Sequence, residues 1–91
     1  MLTDKFVYSQ GEKVVFTFDG KSEGKTIILK YLSKKGEPVL AEIGGEPFVW
    51  EVPSEFTPAA VGVYQKEEGQ LTYSSYFRVV IPGMLTTYQI A

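Results

Sequence analysis

Apolar and polar side chains alternate with a period of two along most of the chain, which is the pattern of β-strands with one buried face. In residues 13–18, for example, Val14, Phe16 and Phe18 share one face. Clusters of Gly, Pro and charged residues separate such runs at intervals of about 8–12 residues, as turns do. The alternation predicts seven strands, at residues 5–8, 13–19, 25–33, 38–43, 47–52, 61–67 and 71–81.

These runs predict an all-β fold in one domain. No stretch of ten or more residues has the 3.6-residue period of an amphipathic helix. A chain of 91 residues suits one domain, and a hydrophobic fraction of 44% is enough to fill a core. We expect the domain to span residues 1–83 and to be followed by a C-terminal tail or edge strand at 84–91.

Three short motifs carry a resemblance to a known superfamily. They are the entry run from Tyr8 to Phe16 with its Gly11-Glu12 pair, the series Phe48-x-Trp50-x-Val52-Pro53, and Gly62-x-Tyr64. Together they resemble disulfide-free bacterial and viral immunoglobulin-like, or fibronectin-like, β-sandwich domains. The resemblance implies a single antiparallel sandwich of about seven strands.

Within this resemblance, Tyr64 is similar to the tyrosine corner of immunoglobulin-like domains. The resemblance implies that Tyr64 is buried and that its hydroxyl bonds to upstream backbone near residues 55–60. Gly62 and Trp50 are the other expected structural residues, with Trp50 in the core because it shares a face with Phe48 and Val52. Antibody domains have a Cys two residues after this Tyr, but here the position is Lys66, which disfavours the disulfide-bonded receptor families.

Composition and charge exclude several classes of function. The chain has no cysteine and no histidine, so it lacks the residues of Cys-based zinc sites and of His-dependent catalytic triads. The net charge of −2 disfavours nucleic-acid binding, which relies on clustered Lys and Arg. The N-terminus lacks the pattern of a signal peptide, and no apolar run is long enough for membrane insertion.

Two segments resemble ligand sites in part. Residues 20–26 are similar to a phosphate-binding loop, but the spacing between the glycines is one residue too short and the following residues read as a strand rather than a helix. Asp19 and Glu23 could bind calcium, although two acids are few for that ion. We interpret both segments as solvated turns and expect no cofactor, no metal and no catalytic residue.

The tyrosines suggest how the domain could bind a partner. Tyr31, Tyr73, Tyr76 and Tyr88 are candidates for an outward-facing aromatic surface, which could contact protein or stack on sugars. The alternative is ordinary cross-strand packing.

We therefore expect a non-catalytic structural or adhesive module of a surface or virion assembly, such as a phage or virus structural protein or a cell-surface domain. Its partners would be protein subunits of that assembly, and its location the virion or the extracellular surface. The alternative function is a carbohydrate- or protein-binding accessory domain of a secreted enzyme or cell-wall protein, with polysaccharide as ligand.

Overall fold

A computed structural model describes residues 2–18, 20–32 and 39–81. Within these ranges every regular element is a β-strand, and no helix is present that could cross a membrane. The strands are β1 (Leu2–Thr3), β2 (Val7–Ser9), β3 (Lys13–Thr17), β4 (Thr26–Tyr31), β5 (Ala41–Ile43), β6 (Val49–Glu51), β7 (Ala59–Glu67) and β8 (Gln70–Val80).

The strands form two sheets. A three-stranded sheet has the order β1-β3-β6, and a five-stranded mixed sheet has the order β2-β8-β7-β4-β5. All neighbours are antiparallel except β2 and β8, which run parallel with Val7 opposite Arg78. The N-terminal residues thus join both sheets, because β1 pairs with β3 and β2 pairs with β8.

One hydrophobic core joins the two sheets. Val14 and Phe16 of β3 enter it from the smaller sheet, and the alternate residues of β4, β7 and β8 enter it from the larger sheet. Phe77 is fully buried, and its ring meets Tyr8 edge-on at 5.3 Å and Phe16 at 6.4 Å. The core residues are Tyr8, Val14, Phe16, Ile27, Leu29, Phe48, Val52, Phe56, Val61, Val63, Phe77 and Val79.

The β7–β8 hairpin is the longest pair of strands. Two backbone features define its shape, a two-residue turn and a bulge. Glu67 and Gln70 pair across a two-residue turn in which Glu68 and Gly69 have φ angles of 51° and 81°. Two positive φ values identify the type I′ turn that suits the twist of a hairpin. Further along, the register shifts between Val63 and Tyr64, which produces a β-bulge in β8.

The all-β prediction is confirmed for the described residues, but the predicted strands differ from those observed. The predicted first strand, 5–8, is replaced by β1 and β2. The predicted strand 38–43 contains a shorter β5, and its first residue lies outside the described ranges. The predicted strand 61–67 begins two residues earlier, at Ala59. The predicted tail at 84–91 also lies outside the described residues.

The turn of the hairpin provides a stability test. A non-glycine residue in the left-handed region costs about 1–2 kcal/mol, and Asn tolerates that region better than Glu. We therefore expect Glu68→Asn to raise the free energy of unfolding by about 0.5–1 kcal/mol, measured by urea denaturation. Glu67→Asn is the control, because Glu67 lies in the strand, and it should give no stabilisation. A fall in stability with Glu68→Asn would contradict the turn geometry.

Candidate binding surface

The five-stranded sheet carries apolar side chains on its outer face as well as on its inner face. Ile28 of β4 is only 3% exposed although it is outside the core cluster, and it lies opposite Tyr64 in the β4–β7 pairing. Val80 of β8 is 5% exposed and also lies outside that cluster. A sheet with one solvated face normally carries polar residues there. Ile28 and Val80 are themselves buried, so the part of this outer face that can contact a partner consists of its exposed side chains.

Four aromatic rings cover part of this face and are called here the outer aromatic patch. Phe6 meets Tyr76 edge-on at 5.0 Å, and Tyr64 meets Tyr73 edge-on at 5.5 Å. Phe6 and Tyr73 are 53% and 50% exposed, whereas Tyr64 and Tyr76 are half-buried. The patch thus consists of two supported pairs in which one ring of each is open to solvent.

Gly62 shapes the floor of the patch. It alternates with the core residues Val61 and Val63, so it faces outward beside Tyr64. A Cβ atom at position 62 would lie 3.0 Å from Cε1 of Tyr64 and 3.4 Å from Cδ1 of Leu32. The absence of a side chain therefore makes room for the Tyr64 ring to lie close to the sheet.

A cation adds charge to the same surface. The ammonium group of Lys30 lies 5.9 Å from the centre of the Tyr64 ring, on the strand next to β7. Such a contact favours a ring orientation that keeps its face toward the cation. Gln65 alternates with Tyr64 and is therefore directed to the opposite face of the sheet, where its amide donates a hydrogen bond of 3.4 Å to the hydroxyl of Ser74. On the outer face, the aromatic patch is bordered by the ammonium group of Lys30.

The structure brings together two of the four tyrosines that the sequence suggested for binding. Tyr73 and Tyr76 are in the patch. Tyr31 lies elsewhere, because it is packed against the core with its ring stacked on Phe56 at 5.8 Å. Tyr88 is outside the described residues. Phe6 was missed from the sequence, because residues 5–8 were expected to form one strand. The crossing of the chain from one sheet to the other was not expected.

Trp50 contacts the core as its shared face with Phe48 and Val52 predicted. It is partly buried, and its ring lies edge-on to Phe56 at 5.6 Å and 6.2 Å from Phe77. Its strand, β6, pairs with β3 so that Trp50 lies opposite Val14.

The expectation of a buried tyrosine corner at Tyr64 is wrong. Tyr64 is half-buried and packs on Tyr73 at the outer face, and within the described residues its hydroxyl makes no hydrogen bond to the backbone of 55–60. The physical reason is the phase of β7. Val61 and Val63 occupy the core face, so Gly62 and Tyr64 are directed to the opposite face.

The buried tyrosine that bonds to backbone is instead Tyr8. Its side chain is fully buried, and its hydroxyl donates to the carboxylate of Asp4 at 2.5 Å while accepting from the amide of Lys5 at 2.8 Å. The carboxylate of Asp4 also accepts from the amide of Val15 at 3.2 Å, and the amide of Asp4 donates to the carbonyl of Val15 at 3.2 Å. Asp4 therefore connects β2 in one sheet with β3 in the other.

The same network perturbs three ionisable groups. The hydrogen bond from Tyr8 is the main cause that lowers the pKa of Asp4, and the contact with Lys5 is the main cause that lowers the pKa of Glu12. Glu12 also accepts a hydrogen bond of 2.6 Å from the amide of Ser9. Burial, followed by the bond to Asp4, raises the pKa of Tyr8 to about 12. The hydrogen bonds and the ion pair that contribute to these shifts also hold the start of the chain in place.

The segments that resembled ligand sites in part contain no assembled site. In residues 20–26 the amide of Lys25 bonds to the carbonyl of Ser22 in a turn, and the strand β4 begins at Thr26. This geometry is unlike a phosphate loop, which leads into a helix. Among the residues the structure describes, no three acidic groups lie close enough to hold a metal ion. Asp19, part of the calcium alternative, lies outside the described residues.

Comparison with known proteins gives no further assignment. No family model matches the chain, and a search of the curated proteins found no significant match.

The Tyr8 hydroxyl should contribute measurably to stability, whereas the Tyr64 hydroxyl should not. We expect Tyr8→Phe to lower the free energy of unfolding by about 1–2 kcal/mol, because it leaves the amide of Lys5 without its acceptor and removes one bond to Asp4. The matched control Tyr64→Phe should change it by less than about 0.5 kcal/mol. Urea denaturation measures both. Equal effects of the two substitutions would contradict the assignment of Tyr8 as the anchoring tyrosine.

Stability should fall in acid because of Asp4 and Glu12. Their pKa values are lowered in the folded state, so they contribute stability above their ordinary values of 3.8 and 4.5, and this stability is lost as the pH falls. The double variant Asp4→Asn/Glu12→Gln should show a shallower decline in urea midpoint between about pH 6 and pH 3. Glu55→Gln is the control, since Glu55 has no ion pair among the described residues. An unchanged slope in the double variant would refute this explanation.

Proposed function

We propose that this chain is a non-catalytic structural or adhesive module with an immunoglobulin-like fold, which binds protein subunits of a virion or cell-surface assembly. The observation that carries the proposal is the outer aromatic patch, where Phe6 and Tyr73 are half-exposed although the strands beneath them already have a filled core on the other face. Aromatic residues are the side chains most enriched at the energetic centres of protein interfaces.

The strand pairing supports the immunoglobulin-like part of the proposal. In such domains the second and fifth strands share one sheet, while the third, sixth and seventh share the other. We assign β3 and β6 to the second and fifth strands, because they pair with each other in the smaller sheet. We assign β4, β7 and β8 to the third, sixth and seventh strands, because they are consecutive neighbours in the larger sheet. The additional strand β5 at the edge next to β4 corresponds to the extra edge strand of variable-type domains.

The chemistry of the chain supports a binding role rather than catalysis. The sequence contains no histidine or cysteine, and the perturbed carboxylates Asp4 and Glu12 are already bonded to Tyr8 and Lys5. The patch itself combines rings with one cation, Lys30, and so offers contact area rather than a reactive group. The location proposed with this role is the exterior of a particle or a cell, where the module would meet its partner subunits.

The assembly assay compares the patch with another exposed position. Tagged chains are expressed in the native host, and high-molecular-mass particles are separated from free protein on a density gradient. We expect the double variant Phe6→Ser/Tyr73→Ser to lose at least about tenfold in particle-bound chain, since interface anchors contribute about 2 kcal/mol or more. Val15→Ser is the control, because Val15 is 41% exposed on the other sheet. Equal incorporation of wild type and double variant would refute the proposal.

Carbohydrate binding is a second candidate function, which the exposed Tyr73 ring favours. Sugars bind by combining ring stacking with hydrogen-bonding groups, and the ammonium group of Lys30 is such a donor on the same face. A glycan array probed with wild type and with Tyr73→Ala tests this function. A signal that depends on Tyr73 would favour a carbohydrate-binding module, and absence of any signal would exclude it for the glycans displayed.

A further inference from the structure

The first half of β8 is an open sheet edge. On one side β8 pairs with β7 from Gln70 to Val79, with one register shift. On the other side β2 covers only Arg78 to Val80, and the carbonyl of Phe6 accepts from the amide of Arg78 at 3.0 Å. Upstream of this bond the chain leaves the edge, because Asp4 is bonded to Val15 of the smaller sheet.

The hairpin geometry indicates which backbone groups face the open side. Residues that flank a two-residue turn form a hydrogen-bonded pair, so Gln70 and Thr72 direct their backbone groups to β7. Leu71 and Tyr73, which alternate with them, direct theirs to the open edge. The side chains of Leu71 and Tyr73 are 45% and 50% exposed. An edge with unpaired backbone groups and exposed apolar side chains is a template for another strand.

The bulge limits the length of this template. The register shift near Tyr73 interrupts the regular alternation, so the ladder available from the edge ends at about residue 73. A long flat edge would continue to recruit strands, whereas a short one can pair once and stop. The three residues Leu71, Thr72 and Tyr73 carry no charge and have side chains that favour strands.

We propose that this edge binds the same edge of a second copy of the chain, in an antiparallel pair with two-fold symmetry about Thr72. Leu71 of one copy then lies opposite Tyr73 of the other, and Thr72 lies opposite Thr72. The two Leu71–Tyr73 pairs are the hydrogen-bonded pairs of this ladder, because the backbone groups of both residues face the open side. Each pair exchanges two hydrogen bonds, which gives about four across the interface. Side chains directly opposite each other in such a pair are in contact, so the pairing brings the exposed Leu71 of each copy against the exposed Tyr73 of the other.

The cleft beside the edge fits the hairpin turn of the second copy. An open cleft of about 580 Å³ lies between the chain around Lys5 and Phe6 and the outer half of β8. Antiparallel pairing about Thr72 brings the Glu68–Gly69 turn of one copy to residues 75 and 76 of the other, where this cleft is. The hydroxyl of Ser75, which lines the cleft, is buried and has no hydrogen-bond partner among the described residues.

Charge also favours the second copy as the occupant. Glu67 and Glu68 are exposed at the turn, and Arg78 is exposed near the opposite end of the open edge, beside Lys5, whose ammonium group already pairs with Glu12. An antiparallel pair places the acidic turn of each copy beside these basic residues of the other. Asp4, which also lines the cleft, opposes this attraction, but its carboxylate is already bonded to Tyr8 and Val15. Two symmetric acid–base contacts therefore accompany the strand pairing.

The inference goes beyond the proposed function, because it concerns the backbone edge and needs no other partner. Tyr73 belongs to both the outer aromatic patch and the open edge, so the assembly variant alters both surfaces. The Thr72 variants leave the rings of the patch unchanged, so the oligomeric state of these purified variants tests the edge alone, and the two proposals can still fail separately.

The test uses the position that faces itself across the two-fold axis. We expect Thr72→Lys and Thr72→Glu each to be monomeric by sedimentation at about 1 mM, because like charges directly opposite are destabilising. A one-to-one mixture of the two variants should regain the dimer, since the introduced ammonium group of one copy then faces the introduced carboxylate of the other. Wild type and the control Thr17→Lys, an exposed threonine on β3, should dimerise equally.

A second measurement on the wild-type chain needs no substitution. The amides of Leu71 and Tyr73 should show concentration-dependent chemical shifts and slower hydrogen exchange, while the amide of Thr72 should already be protected by β7. A wild type that remains monomeric at about 1 mM would overturn the proposal. So would a mixture of folded Thr72 variants that stays monomeric, because the register about Thr72 would then be wrong.

Discussion

The structure depends on burying the ring of Tyr8 while its hydroxyl retains polar partners. The ring packs edge-on against Phe77 at the centre of the core, where an unpaired hydroxyl would be costly. Asp4 and the amide of Lys5 meet this requirement, and Asp4 in turn bonds to Val15. The position of one oxygen atom therefore fixes where the chain leaves the smaller sheet and joins the larger one.

This crossing explains which parts of the fold could be predicted from the sequence. The shared face of β3 was evident, because Val14 and Phe16 alternate with Lys13, Val15 and Thr17, two of which are polar, and both Val14 and Phe16 are buried. The division of the first strand could not be predicted, because it depends on hydrogen bonds between Asp4 and residues distant in sequence. A local pattern contains no information on which strand a short segment joins.

The candidate surface was predicted less completely, for a related reason. Both faces of β7 are apolar, since Val61 and Val63 alternate with Gly62 and Tyr64 rather than with polar residues. Alternation then identifies a strand without identifying its buried face, and Tyr64 was assigned to the wrong side. Tyr73 and Tyr76 were predicted as surface residues, but their pairing with Tyr64 and Phe6 depends on tertiary contacts.

The parallel pairing of β2 with β8 has a mechanical consequence. If tension is applied through the two ends of the chain, it pulls on the start of β2 and on the end of β8, which lie at opposite ends of the pair because the strands run in the same direction. The backbone bonds between Val7–Ser9 and Arg78–Val80 then share the load in shear instead of opening one after another. Because the bonds are loaded together, separating β2 from β8 in this direction requires them to break at the same time.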